Sequence, residues 1–350
     1  MKYDYIIVGS GLASIMFAEQ LRLHNKSFIV ISNRSQQASV VASGLYNPVV
    51  LKRFTATWNA AAHLESALPK YVELEQLLGL KLDHVLPIHR VFNSVKEQNN
   101  WFLACDKPVL TNFLNPEIIP NTNSAVKAPF GFGAVNFTGR IDTQLLIEAY
   151  REFLSKRNQY IEETVEYSDV NDNSNGIEYR TVNARKIVFT EGFGVHKNPY
   201  FQYLPLEGTK GELLTIHAPT LKLEAILKSS IFVIPMEKDH YLVGSTYEWT
   251  DKTNTPTSNA KTELLEKLER LIECEFEVID QRAGIRPTVV DRRPLVGQHP
   301  VHKNSYILNG LGTRGVLVAP AMAKALYDSI EEDTPLPAEI DINRFVAAFS

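Results

Sequence analysis

The chain has 350 residues, and its 36 Lys and Arg against 40 Asp and Glu give a formal net charge of −4 at pH 7. With 44% hydrophobic and 22% charged residues it reads as a mixed α/β globular protein large enough for two or three lobes, and its near-neutral balance argues against a strongly basic nucleic-acid binder. Two cysteines, Cys105 and Cys274, exclude a disulfide framework or a four-cysteine metal site, no apolar run approaches the ~20 residues that span a bilayer, and the opening MKYDYIIVGSG lacks the pattern of a signal peptide, so a cytoplasmic location is expected.

Tyr5-Ile6-Ile7-Val8 predicts a buried parallel strand and Gly9-Ser10-Gly11 a turn. The spacing of Leu12, Ile15, Met16 and Leu21 predicts a helix ending near His24-Asn25, and Phe28-Ile29-Val30-Ile31 a second strand, which completes a βαβ unit. Residues 58–80 and 142–156 predict helices, the second N-capped by Asp142, and 85–139 a run of short strand-like pieces broken by proline and glycine. The polar run 168–176 predicts a hairpin loop, 185–190 a strand ending at Glu191-Gly192, and 206–250 a β-rich stretch. An amphipathic helix is expected over 259–273 and the last helix over about 319–331. Segments of α/β character interrupted twice by β-rich ones imply a nucleotide-binding domain with a second domain inserted in two pieces.

The fingerprint of that nucleotide site is Gly9-Ser10-Gly11-Leu12-Ala13-Ser14. The first glycine allows the tight turn, the second lets the backbone approach a pyrophosphate, and the small Ser14 lets helix and strand pack closely. The free N–H groups at the helix start then face the phosphates. The plain alternative is a glycine turn that only links strand to helix; its place after a strand and before a helix favours the dinucleotide. The carboxylate expected at the end of the second strand for the ribose hydroxyls is missing. Ser32-Asn33-Arg34 stands there, in which Ser32 or Asn33 offers a hydrogen bond to a ribose and Arg34 suits a 2′-phosphate and hence NADP.

Two later segments narrow the choice: Gly284-Ile285-Arg286-Pro287 running on to Pro294-Leu295-Val296-Gly297, and Asn309-Gly310-Leu311-Gly312-Thr313-Arg314-Gly315-Val316 running on to Ala319-Pro320. With the N-terminal turn, Gly208-Thr209-Lys210-Gly211-Glu212 and the run from Ile234 to Glu248, they resemble the FAD-dependent D-amino acid oxidase family, which includes glycine oxidase and sarcosine oxidase. The resemblance covers essentially the whole chain and is weakest over 85–139. It implies a Rossmann-like FAD-binding domain (residues 1–84, 140–205 and 282–350) interleaved with a mixed β-sheet substrate domain (85–139 and 206–281). It places FAD contacts at Gly9, Gly11, Leu12, Ala13, Ser32, Asn33, Ser43, Gly44, Val165, Glu191 and Gly192, and at Gly312, Thr313, Arg314, Gly315 and Val316. Sarcosine oxidases tether their flavin through a cysteine in the region matching 284–287; none stands there, so a noncovalent FAD is expected.

The chemistry implied is oxidation of the C–N bond of a small amine or amino acid by hydride transfer to the flavin, followed by imine hydrolysis and reoxidation by O2 to give H2O2. The cofactor does the hard step, which accounts for the lack of a catalytic triad. Arg286 resembles the family's carboxylate-binding arginine, a bidentate clamp that aims the Cα–H at the flavin; the plain alternative is an ion pair with Asp291. The Gly312–Gly315 turn opens the last helix, whose N–H groups and dipole suit negative charge on the reduced flavin. Residues 42–48, 210–212 and 310–315 also resemble the oxidase domain of the bifunctional enzyme that matures wobble uridines in tRNA, where the same bond is broken in a carboxymethylaminomethyl-uridine. A net charge of −4 offers RNA no general attraction. A flavin dehydrogenase passing electrons to a partner, a flavin binder without turnover and, more weakly, an NADP dehydrogenase are the remaining readings. No metal site is expected, and His299-x-x-His302 reads as a solvated loop.

Overall fold

The structure is a computed structural model that describes residues 2–348. The chain opens with β1 (Lys2–Val8), α1 (Leu12–Leu23) and β2 (Phe28–Ile31). A short helix α2 (Ala38–Val41) and the small strands β3 (Leu45–Tyr46), β4 (Val49–Val50) and β5 (Thr55–Ala56) lead into α3 (Ala60–Leu78). Next come β6 (Asp83–Val85), β7 (Ile88–Val91), α4 (Val95–Cys105), β8 (Leu114–Ile119), β9 (Phe132–Val135) and β10 (Gly139–Ile141). They are followed by α5 (Thr143–Ser155), β11 (Tyr160–Ile161), the hairpin β12 (Val170–Asn173) and β13 (Gly176–Tyr179), and β14 (Val182–Phe189). β15 (Thr209–His217), β16 (Ile226–Lys228), β17 (Phe232–Pro235), β18 (His240–Gly244), α6 (Ser258–Glu269) and β19 (Glu277–Arg286) form the next block. β20 (Leu295–Gln298), β21 (Ser305–Asn309) and α7 (Gly315–Glu331) close it.

The first sheet runs β11-β2-β1-β14-β21-β20, with the β12–β13 hairpin paired onto the first half of β14. β1 and β2 are apolar, β-branched strands paired in parallel, Tyr5 opposite Phe28, as strands covered on both faces should be. α1 is buried along nearly its whole length because it packs against α5 and α7 as well as the sheet. Its one buried acid, Glu19, accepts hydrogen bonds from Arg22 at 2.8 and 2.9 Å and from the Tyr150 hydroxyl of α5 at 2.8 Å, so no charge is left unpaired.

The second sheet runs β19-β15-β18-β17-β16-β7-β9-β8. Its pairings are antiparallel except β7 with β16, so two distant pieces of chain meet along one parallel seam. One face packs Leu214, Ile216, Val233 and Val243 against Leu264 and Leu268 of α6. β19 stays in this sheet through Arg286 and so runs across the expected boundary at 281–282.

Four local expectations are corrected. Residues 95–105 of the stretch read as strand-like pieces are the helix α4, capped by Ser94 accepting from the Glu97 N–H at 3.3 Å. The polar run 168–176 contains a strand, β12, because its residues pair with β13. The last helix starts at Gly315 rather than near 319. His299 is buried, not solvated: its Nδ1 accepts the N–H groups of Val301 at 3.1 Å and His302 at 2.9 Å, and burial together with the nearby His302 holds its pKa down to about 4.

Candidate active site

A cavity of about 1420 Å³ takes one wall from the C-terminal ends of β1 and β2 and the other from β15, β17 and β19. That exceeds the usual size of a small-molecule pocket and leaves room for a dinucleotide and a substrate together. Each site residue expected from the sequence stands on its wall: Gly9, Gly11, Leu12, Ala13, Ser32, Asn33, Ser43, Gly44, Val165, Glu191, Gly192, Arg286, Gly312, Thr313, Arg314, Gly315 and Val316. Neither cysteine does.

The phosphate end is built by β1, the turn and α1. Gly9 has φ +111°, and a Cβ there would stand 2.7 Å from the carbonyl oxygen and hydroxyl of Thr190, so the turn excludes any side chain. Gly11 caps α1 without a side chain, and of the first N–H groups Leu12's meets only the Ser39 hydroxyl at 3.4 Å. These groups have no intrahelical partner and open into the cavity, which is the donor set a pyrophosphate needs. Beside them the Ser10 and Ser32 hydroxyls bond at 3.0 Å, and Asn33 Nδ2 donates to the Thr164 hydroxyl at 3.1 Å. Arg34 turns off the wall to pair with Glu162 at 2.5 Å, which removes the basis for a 2′-phosphate. The carboxylate on the wall at this end is Glu163, next to Thr164; it accepts from the Tyr179 hydroxyl at 2.9 Å and pairs with Arg180 at 3.2 Å. It was missed because it follows β11, a neighbour of β2 in space and not in sequence.

The other end is built by β14, β21 and α7. The Gly192 carbonyl accepts from Asn309 Nδ2 at 2.8 Å, which ties the end of β14 to the end of β21. Glu191 accepts from Tyr167 and Asn198, yet burial still pushes its carboxyl up to about 7. A tight turn over Gly312–Arg314 leads into α7, whose uncapped N-terminus also opens on the cavity. On the same side, the Gly44 carbonyl accepts from the Ile141 N–H at 3.0 Å and Ala42's from the Thr143 hydroxyl at 3.3 Å, which holds the Ser43 loop against β10 and α5. Two helix N-termini facing one cavity, a turn closed to side chains and a volume of this size fit FAD.

Arg286, at the end of β19, lies across β15. Its Nη2 donates to the Ser245 hydroxyl at 2.8 Å, its Nη1 to the Thr246 carbonyl at 3.3 Å, and its guanidinium sits 4.7 Å from the Tyr247 ring centroid. Asp291 pairs with Arg344 at 2.8 Å, so the alternative ion pair to Arg286 does not form. No carboxylate among the described residues pairs with Arg286, and its own burial lowers its pKa. The wall as a whole carries ten Lys and Arg against two Glu. Of these cations Lys228 and Arg90, on β16 and β7, carried no signal in the sequence beyond their charge. Among the described residues no cluster of His, Cys, Asp and Glu could hold a metal ion, and no helix is long and apolar enough to cross a membrane.

The sequence matches the FAD dependent oxidoreductase family over residues 4–329. It is 30% identical to glycine oxidase of Pseudomonas putida over 136 residues, 38% of this chain and 37% of that protein. It is 26% identical over 153 residues to a tRNA 5-methylaminomethyl-2-thiouridine biosynthesis bifunctional protein of Idiomarina loihiensis, 41% of this chain and 25% of that protein. The chain thus matches well under half the length of these relatives. Its fold is similar to glycine oxidase from Geobacillus kaustophilus, with TM-score 0.78 and 16% identity over 98% of both chains. It is likewise similar to iminodiacetate oxidase from a Chelativorans species, with TM-score 0.79 and 17% identity over 97% of this chain and 98% of that one. Taken with the cradle for a pyrophosphate and the volume beside it, the match along nearly the whole chain means that the protein belongs to the family of FAD-dependent oxidoreductases.

Proposed function

We propose that the protein oxidises the C–N bond of an amino acid, or of a secondary amine that carries a carboxylate. The observation behind this reading is Arg286, a largely buried guanidinium on the cavity wall with no acidic partner among the described residues. A buried charge is costly unless an opposite charge meets it, and a carboxylate is the ion whose geometry matches a guanidinium. Bound FAD supplies the two-electron acceptor: a hydride leaves the carbon bonded to nitrogen, the imine hydrolyses to a carbonyl compound and an amine, and O2 takes up the electrons as H2O2. The chain's own residues bind and orient. Arg286 holds the carboxylate, so the carbon beside the amine has one position; the Ser245 hydroxyl and Thr246 carbonyl hold Arg286. The α7 N-terminus offers N–H groups where negative charge grows.

The test is anaerobic addition of amino acids and N-carboxymethyl amines, one at a time, to the flavin-loaded protein. At least one should bleach the visible flavin absorbance, with H2O2 formed once air is admitted. Bleaching without H2O2 marks a dehydrogenase; a flavin that no member bleaches refutes the amine reading.

A second reading, oxidation of a carboxymethylaminomethyl group on a tRNA uridine, is favoured by Lys52, Arg53, Lys197 and Arg292. All four are exposed on the rim, and none is paired with a carboxylate among the described residues. It makes the same demand on Arg286. Retention of the protein on tRNA with a steep salt dependence supports it.

A further inference from the structure

We propose that the substrate carries a second anionic group, a carboxylate or a phosphate, seated by Lys228 and Arg90 at the far end of the same cavity, with an apolar spacer over Leu213 and Phe232. The proposal rests on the reading of Arg286 as the clamp for the first carboxylate.

The register of the second sheet carries the argument. Arg286 lies over Gly211 of β15. Two residues along that strand, Leu213 begins a row that crosses the sheet: Leu213 opposite Gly244, Gly244 opposite Phe232, Phe232 opposite Lys228, and Lys228 opposite Arg90. Directly opposed residues project to one face, and Leu213, Phe232, Lys228 and Arg90 all line the cavity. β15 and β16 are three strand spacings apart, roughly 14 Å. One wall therefore presents a cation, an apolar floor and, at the far end, Lys228 beside Arg90, whose charge Glu97 already pairs.

Lys228 is the unsatisfied member. Its Nζ lies 5.8 Å from the Phe232 ring centroid and makes no hydrogen bond or ion pair among the described residues. The nearby acids are taken, Glu97 by Arg90 and Glu263 by Lys267. Burial, with Arg90 and Lys267 adding positive charge, pushes the Lys228 ammonium down to about 8. Arg90 Nε is also buried without a partner. An anion is the partner that an unpaired ammonium on a cavity wall lacks. Ser229 and Ser230, in the turn that follows, line the same wall. Leu213 and Phe232 offer a spacer no polar partner, which makes hydrocarbon the matching chemistry.

The experiment is calorimetric titration of the FAD-loaded protein with butyrate, with dicarboxylates from succinate to suberate, and with the matching carboxy-phosphonates. At one spacer length the dianion is expected to bind roughly 10–100-fold more tightly than butyrate. Lys228→Gln should remove that gain and spare butyrate, Lys228→Arg should restore most of it, and Arg286→Met should weaken both ligands. The larger gain, carboxylate or phosphonate, identifies the second anion. Dianions that bind no better than butyrate, or a gain that survives Lys228→Gln, overturn the second seat while the Arg286 clamp stands. A butyrate affinity indifferent to Arg286→Met overturns the clamp and the proposal with it. Retention on tRNA that is lost in Lys228→Gln, with no dianion gain, assigns the seat to a nucleic-acid backbone and overturns the small-molecule form.

Discussion

At Gly211 a missing side chain decides where a charge can lie. A Cβ there would stand 1.8 Å from Arg286 Nη2, and that atom is the movable end of a side chain, not backbone. Gly211→Ala should therefore push the guanidinium aside without breaking the sheet. We expect kcat/KM for a carboxylate substrate to fall by about 2–4 kcal/mol, as in Arg286→Met, with thermal stability nearly unchanged. Steady-state kinetics beside an amine lacking a carboxylate check this; a Gly211→Ala enzyme with normal kcat/KM rules out the clamp geometry. Glu191 makes a second prediction at this scale. Burial raises its carboxyl from 4.5 to about 7, so the folded protein holds a proton that the unfolded chain has released. Its contribution is most favourable below the unfolded value and is lost as pH rises towards 7. In the FAD-free protein, Glu191→Gln should flatten the loss of stability between about pH 5 and about pH 8 in denaturant titrations. An unchanged slope would mean that the carboxyl is ionised throughout.

At the scale of one strand, β15 sorts its residues by alternation. Thr209, Gly211 and Leu213 face the cavity, while Lys210 and Glu212 lie off its wall and buried. Lys210 Nζ bonds Asp251 Oδ2 and the Thr255 carbonyl, each at 2.5 Å, and Glu212 accepts from the N–H and hydroxyl of Thr257, each at 2.9 Å. Between them they pin the segment 246–257, which carries the Tyr247 ring against Arg286. Lys210→Ala removes the cation shared by the partly exposed Asp251 and, at 3.7 Å, the buried Glu212, and should cost about 1–3 kcal/mol, read as a lower denaturation midpoint. A midpoint within error of the parent would show that the segment is held by other means. The motif Lys210-Gly211-Glu212 was visible in the sequence, but its division into one cavity residue and two anchors was not, since that needs the strand's orientation. The βαβ start was legible because its pattern is local. α4 carried a readable signal in Ser94-Val95-Lys96-Glu97, the spacing of a helix N-terminus, which the prolines and glycines around it masked. The Lys228 and Arg90 pair was not legible at all: β7 and β16 are far apart in the chain, and only their parallel register sets the two side by side.

At the scale of the whole molecule, the net charge of −4 misleads about the site. Of the ten Lys and Arg on the cavity wall, Arg90, Lys267 and Arg270 pair with Glu97, Glu263 and Glu266, and the other seven stand against two Glu, so the wall keeps an excess of positive charge. The argument from net charge against an anionic partner therefore fails where it matters. A concave wall of one sign raises the local concentration of the opposite ion, and salt removes that advantage once charges are more than about 8–10 Å apart. The expected outcome is a kcat/KM that falls with ionic strength for a dianionic amine, falls less for a monocarboxylate, and stays flat for an uncharged amine. Measuring the three slopes in one buffer series separates this steering from a general effect of salt on stability, which would lower all three together. Equal slopes would show that the positive wall does not act on the substrate, and its cations would then have to be explained by the phosphates of FAD alone.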